Sequence, residues 1–235
     1  MEKTLHRKGE NMKKIYFLIV SIGSILALLG SCAKDDDAAS TDNTTSTTTA
    51  TFTSTTTASG SITVGSVAMS GVYASTCYSG SEVASAVSGG YFPSDVKAVR
   101  DVLVVTGNDN ISEESHYYTD TTCSNLSTSL KDGNDNFTVG DASGEFYKVT
   151  YKETGFKVTA GTTVAETYYE NYFSTNNITA SGTTIDLVVD TEYDVGGDGY
   201  TEMNIFYVSS TIVRHGDDDN ATQPTEMDTL EMAKQ

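Results

Sequence analysis

The chain has 235 residues, with 14 Lys and Arg against 32 Asp and Glu, a formal charge of −18 and 37% hydrophobic residues. Such an acidic chain repels nucleic acid and anionic lipid headgroups, which excludes DNA and RNA binding, and it favours solubility or divalent cations over any polyanion partner. Tryptophan is absent, and tyrosine, with 14 residues, is the commonest aromatic.

Lys13 and Lys14 form a short basic start, followed by an uncharged, largely apolar run from Ile15 to Leu29 and the small residues Gly30 and Ser31 before Cys32. That run is shorter than the roughly 20 residues that cross a bilayer, and strongly polar sequence follows it, so it reads as an export signal and not a span. Met12 begins a compact signal and is the expected start. The quartet Leu29-Gly30-Ser31-Cys32 resembles the lipobox of bacterial lipoproteins, in which a diacylglyceryl group is attached to the cysteine before cleavage leaves it as the new N-terminus. The resemblance implies a signal peptide over residues 1–31 and acyl chains of the palmitate type on Cys32. Each buried methylene of such an anchor contributes about 0.8 kcal/mol to membrane attachment. Ala33 suits an outer-membrane destination, while Asp35 to Asp37 pull against it, so the expected location is the cell envelope, at the outer membrane. The competing reading is an ordinary secretory signal with an incidental cysteine.

Removing residues 1–31 takes away five of the 14 basic and two of the 32 acidic residues, leaving 9 against 30 and a charge of −21. Residues 32–61 are Ser, Thr, Ala and Asp with a single aromatic, Phe52, and include the run Thr44 to Thr49. Such a segment buries too little apolar surface to fold alone and is expected to be a solvated tether. Its alternative is a short β-segment that joins a partner.

Two cysteines follow, Cys77 and Cys123, and an oxidising compartment makes a disulfide between them the expectation. Closing a loop of that length stabilises a fold by roughly 4 kcal/mol in the loop-entropy model. A zinc site is the competing reading, but it lacks ligands: His116 and His215 are the only histidines after the signal, and no Cys-x-x-Cys occurs.

From residue 62 onward, period-2 alternation recurs and helical periodicity is nearly absent, which is an all-β pattern. Gly71 to Ser79 reads as a first strand. Val96 to Thr106 is a longer run, apolar on parts of both faces, and so is Met203 to Val213. Tyr147, Val149 and Tyr151 alternate with Lys148, Thr150 and Lys152, and Ile185, Leu187 and Val189 share one face of Thr184 to Asp190. Turn signals fall at Gly107 to Asn110, Asp132-Gly133-Asn134, Thr154-Gly155, Asn176-Asn177, Ser181-Gly182 and Gly196 to Gly199. Residues 62–235 are therefore expected to form one domain, a single up-and-down antiparallel β-barrel of about eight to ten strands, which removes free sheet edges. A β-sandwich is the alternative.

Three segments carry a resemblance: Gly71-Val72-Tyr73-Ala74-Ser75-Thr76-Cys77, Tyr117-Tyr118-Thr119-Asp120-Thr121-Thr122-Cys123, and Gln223-Pro224-Thr225-Glu226-Met227-Asp228. Together they resemble the small lipocalin-like, or calycin-like, β-barrel lipoproteins of bacterial envelopes. In those proteins an aromatic and acidic stretch precedes the second cysteine, and an Arg-Pro-Thr-x-Leu-Asp segment closes the chain. Gln223 stands where that pattern has arginine, and Tyr73 where it has tryptophan. The resemblance implies architecture and little mechanism.

Tyr147, Tyr151, Tyr168, Tyr172 and Tyr207 are the candidates to line a barrel pocket for a small apolar or aromatic ligand, against the plainer reading that tyrosine fills a strand core. The loops Asp132 to Asn136, Asp190 to Glu202 and Asp217 to Asn220 are rich in oxygen ligands, but none has the spacing of a calcium loop, and turn chemistry explains them. No nucleophile elbow, zinc-protease helix or phosphate loop occurs, and a carboxylate-pair glycosidase would leave no sequence motif. The expectation is thus no enzyme, no cofactor and no metal. Expected instead is an envelope lipoprotein that binds a small ligand in a barrel or, alternatively, an interaction or structural lipoprotein without a pocket.

Overall fold

A computed structural model describes residues 52–197, 199–216 and 223–235. The signal segment, Cys32 and the acidic loop Asp217 to Asn220 lie outside the described residues.

In chain order the elements are β1 (Ile62–Val64), β2 (Val67–Met69), β3 (Val72–Ala74), β4 (Tyr78–Ser79), α1 (Ser81–Ser88), β5 (Ala98–Val105), β6 (Ile111–Tyr118), β7 (Leu126–Ser143) and β8 (Phe146–Ala160), followed by α2 (Thr163–Thr175), β9 (Thr179–Ala180), β10 (Thr183–Thr184), β11 (Glu192–Asp194), β12 (Thr201–Val208), β13 (Ile212–His215) and β14 (Met232–Lys234). Eight of them, β3, β5, β6, β7, β8, β12, β13 and β14, pair antiparallel with their neighbours in that order. Ala233 of β14 meets Ala74 of β3 and closes the ring. The fold is the up-and-down, lipocalin-like barrel that the alternation predicts. The Cys77–Cys123 disulfide ties the stretch after β3 to the loop after β6, with Cα atoms 5.9 Å apart.

A barrel of eight strands is just wide enough for side chains to fill its bore, and here two apolar layers flank a polar one. At one end Val149, Tyr151, Phe206 and Val213 meet Ile62, Val64 and Met69 of the β1–β2 hairpin. At the other end Val99, Tyr117, Leu130 and Val158 meet Val83 and Ala86 of α1 and Ala165, Tyr169 and Phe173 of α2. Between them lies a belt of hydrogen-bonded polar groups. Asp101 accepts from Tyr78 Oη and Ser115 Oγ, both at 2.7 Å, and Glu113 accepts from Tyr151 Oη at 3.2 Å and Asn134 Nδ2 at 3.3 Å.

Both helices depart from the sequence expectation. The stretch Tyr168, Tyr169, Tyr172, Phe173 lies in α2 and not in a strand. Thr162 caps that helix, accepting from Ala165 N at 3.1 Å, and Ala165, Tyr169 and Phe173, spaced by four, form its buried face. The run Met203 to Val213 is a hairpin and not one strand: Ser209 Oγ accepts from Thr211 N and Ile212 N at 3.2 and 3.0 Å and turns the chain between β12 and β13. Ile185 and Leu187 are buried and Asp186 and Val188 exposed as expected, yet residues 185–188 form no ladder. Gln223 donates to the carbonyl of Asn204, and Tyr73 is fully buried in the bore.

Candidate functional site

The outer face of a barrel strand normally meets water, but on β5 and β6 it does not. Arg100, Val102 and Val104 of β5 are buried, as are Ser112, Glu114, His116 and Tyr118 of β6. Part of their cover is residues 52–61, which are assigned from sequence to the solvated tether and which instead run along the barrel as a strap. Alternation explains the docking: Phe52, Ser54 and Thr56 are half-buried, while Thr53, Thr55 and Thr57 are exposed. The Phe52 ring lies 5.1 Å from the His116 ring and 5.4 Å from the Arg100 guanidinium carbon, and it packs against the cluster of Ala74, Val102 and Val104. Ser54 Oγ donates to Glu114 Oε2 at 3.0 Å, and Thr56 Oγ1 donates to Glu114 Oε1. Ser59 N reaches the carbonyl of Val105 at 2.9 Å.

Between the strap and β11 the outer faces of β6, β7 and β8 form the floor of a groove of about 1040 Å³. Two cross-strand partners, Gly133 and Gly155, face each other on that floor. Both were read from sequence as turn signals, Asp132-Gly133-Asn134 and Thr154-Gly155. The structure puts them inside β7 and β8, where the strands carry register shifts and where Asp132 and Asn134 are buried. A glycine inside a strand often marks a bulge or a place where another molecule approaches the backbone. A Cβ at Gly155 would meet no atom within 4 Å. The floor is open at Gly155 because that position carries no side chain, whereas a Cβ at Gly133 would meet Thr154 Oγ1 at 3.2 Å.

Lys131 crosses the floor. Its Nζ lies 2.7 Å from Thr55 Oγ1 on the strap and 2.7 Å from Glu192 Oε2 on β11, and Lys157 Nζ reaches Glu192 Oε1 at 3.0 Å. Burial would raise the Glu192 carboxyl, but the two ammonium groups outweigh it and hold the carboxyl below its ordinary range. At the strap, burial likewise pushes Glu114 up. His116, whose Nε2 lies 2.8 Å from Glu114 Oε2, together with Thr56 and Lys131, reverses the shift, so the carboxyl stays low. In the bore nothing reverses it: burial raises Asp101 and Glu113 despite their hydrogen bonds.

One polar atom on the groove side of β7 has no partner among the described residues, Ser129 Oγ. Its residue pairs with His116 on the outer face and is only 4% exposed. Buried polar atoms are nearly always hydrogen-bonded, so this hydroxyl presents unused capacity at the floor.

The five candidate tyrosines do not converge. Tyr151 is in the bore, stacked on Phe137 with centroids 5.6 Å apart, and Tyr147 packs at the same end against the same cluster. Tyr168 and Tyr172 lie on α2 at the opposite end, where burial pushes both hydroxyls up to about 12; Tyr168 Oη donates to the carbonyl of Gly90 at 2.9 Å. Tyr207 is on β12 beneath the Arg214 guanidinium, 4.9 Å away. None of the five lines the groove. The alternation that nominates them marks strand and helix packing positions, which lie on different sides of a closed wall. The groove residues left a weaker trace, the Phe52-x-Ser54-x-Thr56 alternation and two glycines inside otherwise strand-like runs. Among the described residues no three His, Cys, Asp or Glu side chains group as metal ligands, and no helix is long and apolar enough to cross a membrane.

Compared with protein families and with curated proteins, the sequence matches none.

Proposed function

We propose that this is a lipid-anchored binding protein of the bacterial cell envelope, probed by its ligand in the groove outside the barrel and not in the bore. The carrying observation is the groove itself, a concavity of about 1040 Å³ with the unpartnered hydroxyl of Ser129 at its floor. Sites that bind small ligands are concave and carry a few convergent polar groups. The bore is filled at both ends by side chains from the hairpin and the helices, and the tyrosines proposed for an apolar ligand are dispersed, so the reading moves from an apolar ligand inside to a polar ligand outside. The strap that forms one wall leads back along the chain towards Cys32, which would hold the site at a fixed end of a tether.

Two measurements test this. Amide chemical shifts recorded with palmitate and with maltotetraose separate bore from groove: shifts at Ser129, Lys131 and Gly155 with the sugar support the reading. Shifts confined to Val149, Tyr151 and Phe206 with palmitate overturn it. For the anchor, Cys32→Ala should release the protein from the membrane fraction, and absence of radiolabelled palmitate from the wild-type chain would refute attachment.

A further inference from the structure

We infer that the groove takes a neutral oligosaccharide, an inference that rests on the groove being the binding site. Four features of the floor and walls specify the chemistry.

The first is charge. The protein as a whole is strongly acidic, yet the groove is close to balanced, with Lys131 and Lys157 against Asp190, Glu192 and Asp194. The two ammonium groups are already engaged by Glu192. A polyanion would meet three carboxylates and no uncommitted lysine, and a polycation would have to displace both lysines. A neutral ligand disturbs neither.

The second is the unused hydrogen-bonding capacity. Ser129 Oγ has no partner among the described residues and can donate or accept. A sugar hydroxyl does both, so it satisfies this atom in either sense. An aliphatic ligand would leave it without a partner.

The third is the shape of the floor. At Gly155 the backbone is uncovered, since a Cβ there would meet no atom within 4 Å, and a pyranose ring can approach the strand directly. The fourth is the state of the strand edges. β6 pairs with β5 and β7, and the floor segment of β8 pairs with β7 and β11. An extended peptide therefore finds no free edge in the floor to add to, and the one open edge at the wall, that of β11, is only three residues long, from Glu192 to Asp194, and carries two carboxylates.

The test uses the soluble chain from residue 33 onward, carrying the complete strap and barrel. Its backbone amide shifts are followed in titrations with three probes: a panel of neutral tetrasaccharides (maltotetraose, xylotetraose and the N-acetylglucosamine tetramer), tetragalacturonate and tetralysine. At least one neutral sugar should shift the amides of Ser129, Lys131, Gly133 and Gly155, with a Kd of about 1 mM or tighter. Tetragalacturonate should bind at least about tenfold more weakly. Gly155→Trp should weaken the neutral sugar about tenfold or more while leaving the far-ultraviolet spectrum and Tm unchanged, because the new side chain enters open space and suits a strand. Should that variant fold poorly, Ser129→Ala serves instead, since it removes an atom without a partner and should weaken the sugar several-fold. If only the charged probes shift the groove amides, the sugar assignment is wrong and the groove remains a binding site. If no probe shifts them, both readings fail.

Discussion

Glu114 and His116 project from the same face of β6 and share a hydrogen bond of 2.8 Å between Oε2 and Nε2. The strap docks on that pair: Ser54 and Thr56 donate to the carboxylate, and Phe52 packs on the imidazole. One buried acid thereby holds a segment that has too little apolar surface to fold on its own.

Glu114→Ala should free the strap. Hydrogen bonds to a charged acceptor contribute about 1.5–3 kcal/mol each, so amide exchange over residues 54–59 should accelerate at least tenfold, with global stability falling by less. Acid should act the same way. The Glu114 carboxyl lies below its ordinary value in the folded protein, so its contribution is present above the unfolded value and disappears as pH falls through the folded one. Strap amides that keep their protection at pH 2, measured against the intrinsic exchange rate at that pH, would contradict this.

Glu113 has the opposite sign. Burial raises its carboxyl, so its contribution is fully present below the unfolded value, near pH 4, and is lost as pH rises through the folded value. Glu113→Gln removes that loss while keeping both oxygen and nitrogen within reach of Tyr151 and Asn134. The variant should gain more stability relative to the wild type at pH 7 than at pH 3. Urea unfolding at the two pH values measures it, and an equal change at both would contradict the assignment.

The Cys77–Cys123 bond closes a separation of 46 residues. Cys77→Ser with Cys123→Ser should cost about 2–4 kcal/mol, read as a lower midpoint in urea. Mass spectrometry of the non-reduced wild type should find no free thiol among these two.

Thr162 does two things at the start of α2: its Oγ1 accepts from Ala165 N and donates to Asp95 Oδ2 at 2.6 Å, while Ser127 Oγ donates to Asp95 Oδ1 at 2.8 Å. Thr162→Ala should therefore destabilise by about 1–2 kcal/mol, and Thr162→Ser should recover most of it. Thermal unfolding of the pair compares them.

Most of the barrel was legible because inward and outward residues alternate. Val99, Leu103 and Val105 mark β5, and Val149 and Tyr151 mark β8, whatever closes around them. The helix α2 was obscured because its residues, Tyr168, Tyr169, Tyr172 and Phe173, are as much at home in strands, and only the fourfold spacing of Ala165, Tyr169 and Phe173 betrays the turn of a helix. The polar belt was misread for a related reason: Asp132, Gly133 and Asn134 carry turn chemistry, yet here Asp132 and Asn134 are buried in the bore.

The sequence by itself determined which segments alternate, which cysteines are available to pair and how acidic the protein is, because these depend on local order and composition. Only the tertiary structure decided what the outer wall does. Gly133 and Gly155 are 22 positions apart in the chain and become neighbours through the pairing of β7 with β8, and the strap meets β6 across some 60 residues. The glycines and the Phe52-x-Ser54-x-Thr56 alternation leave a trace in the sequence, but that they meet at one groove follows only from the register.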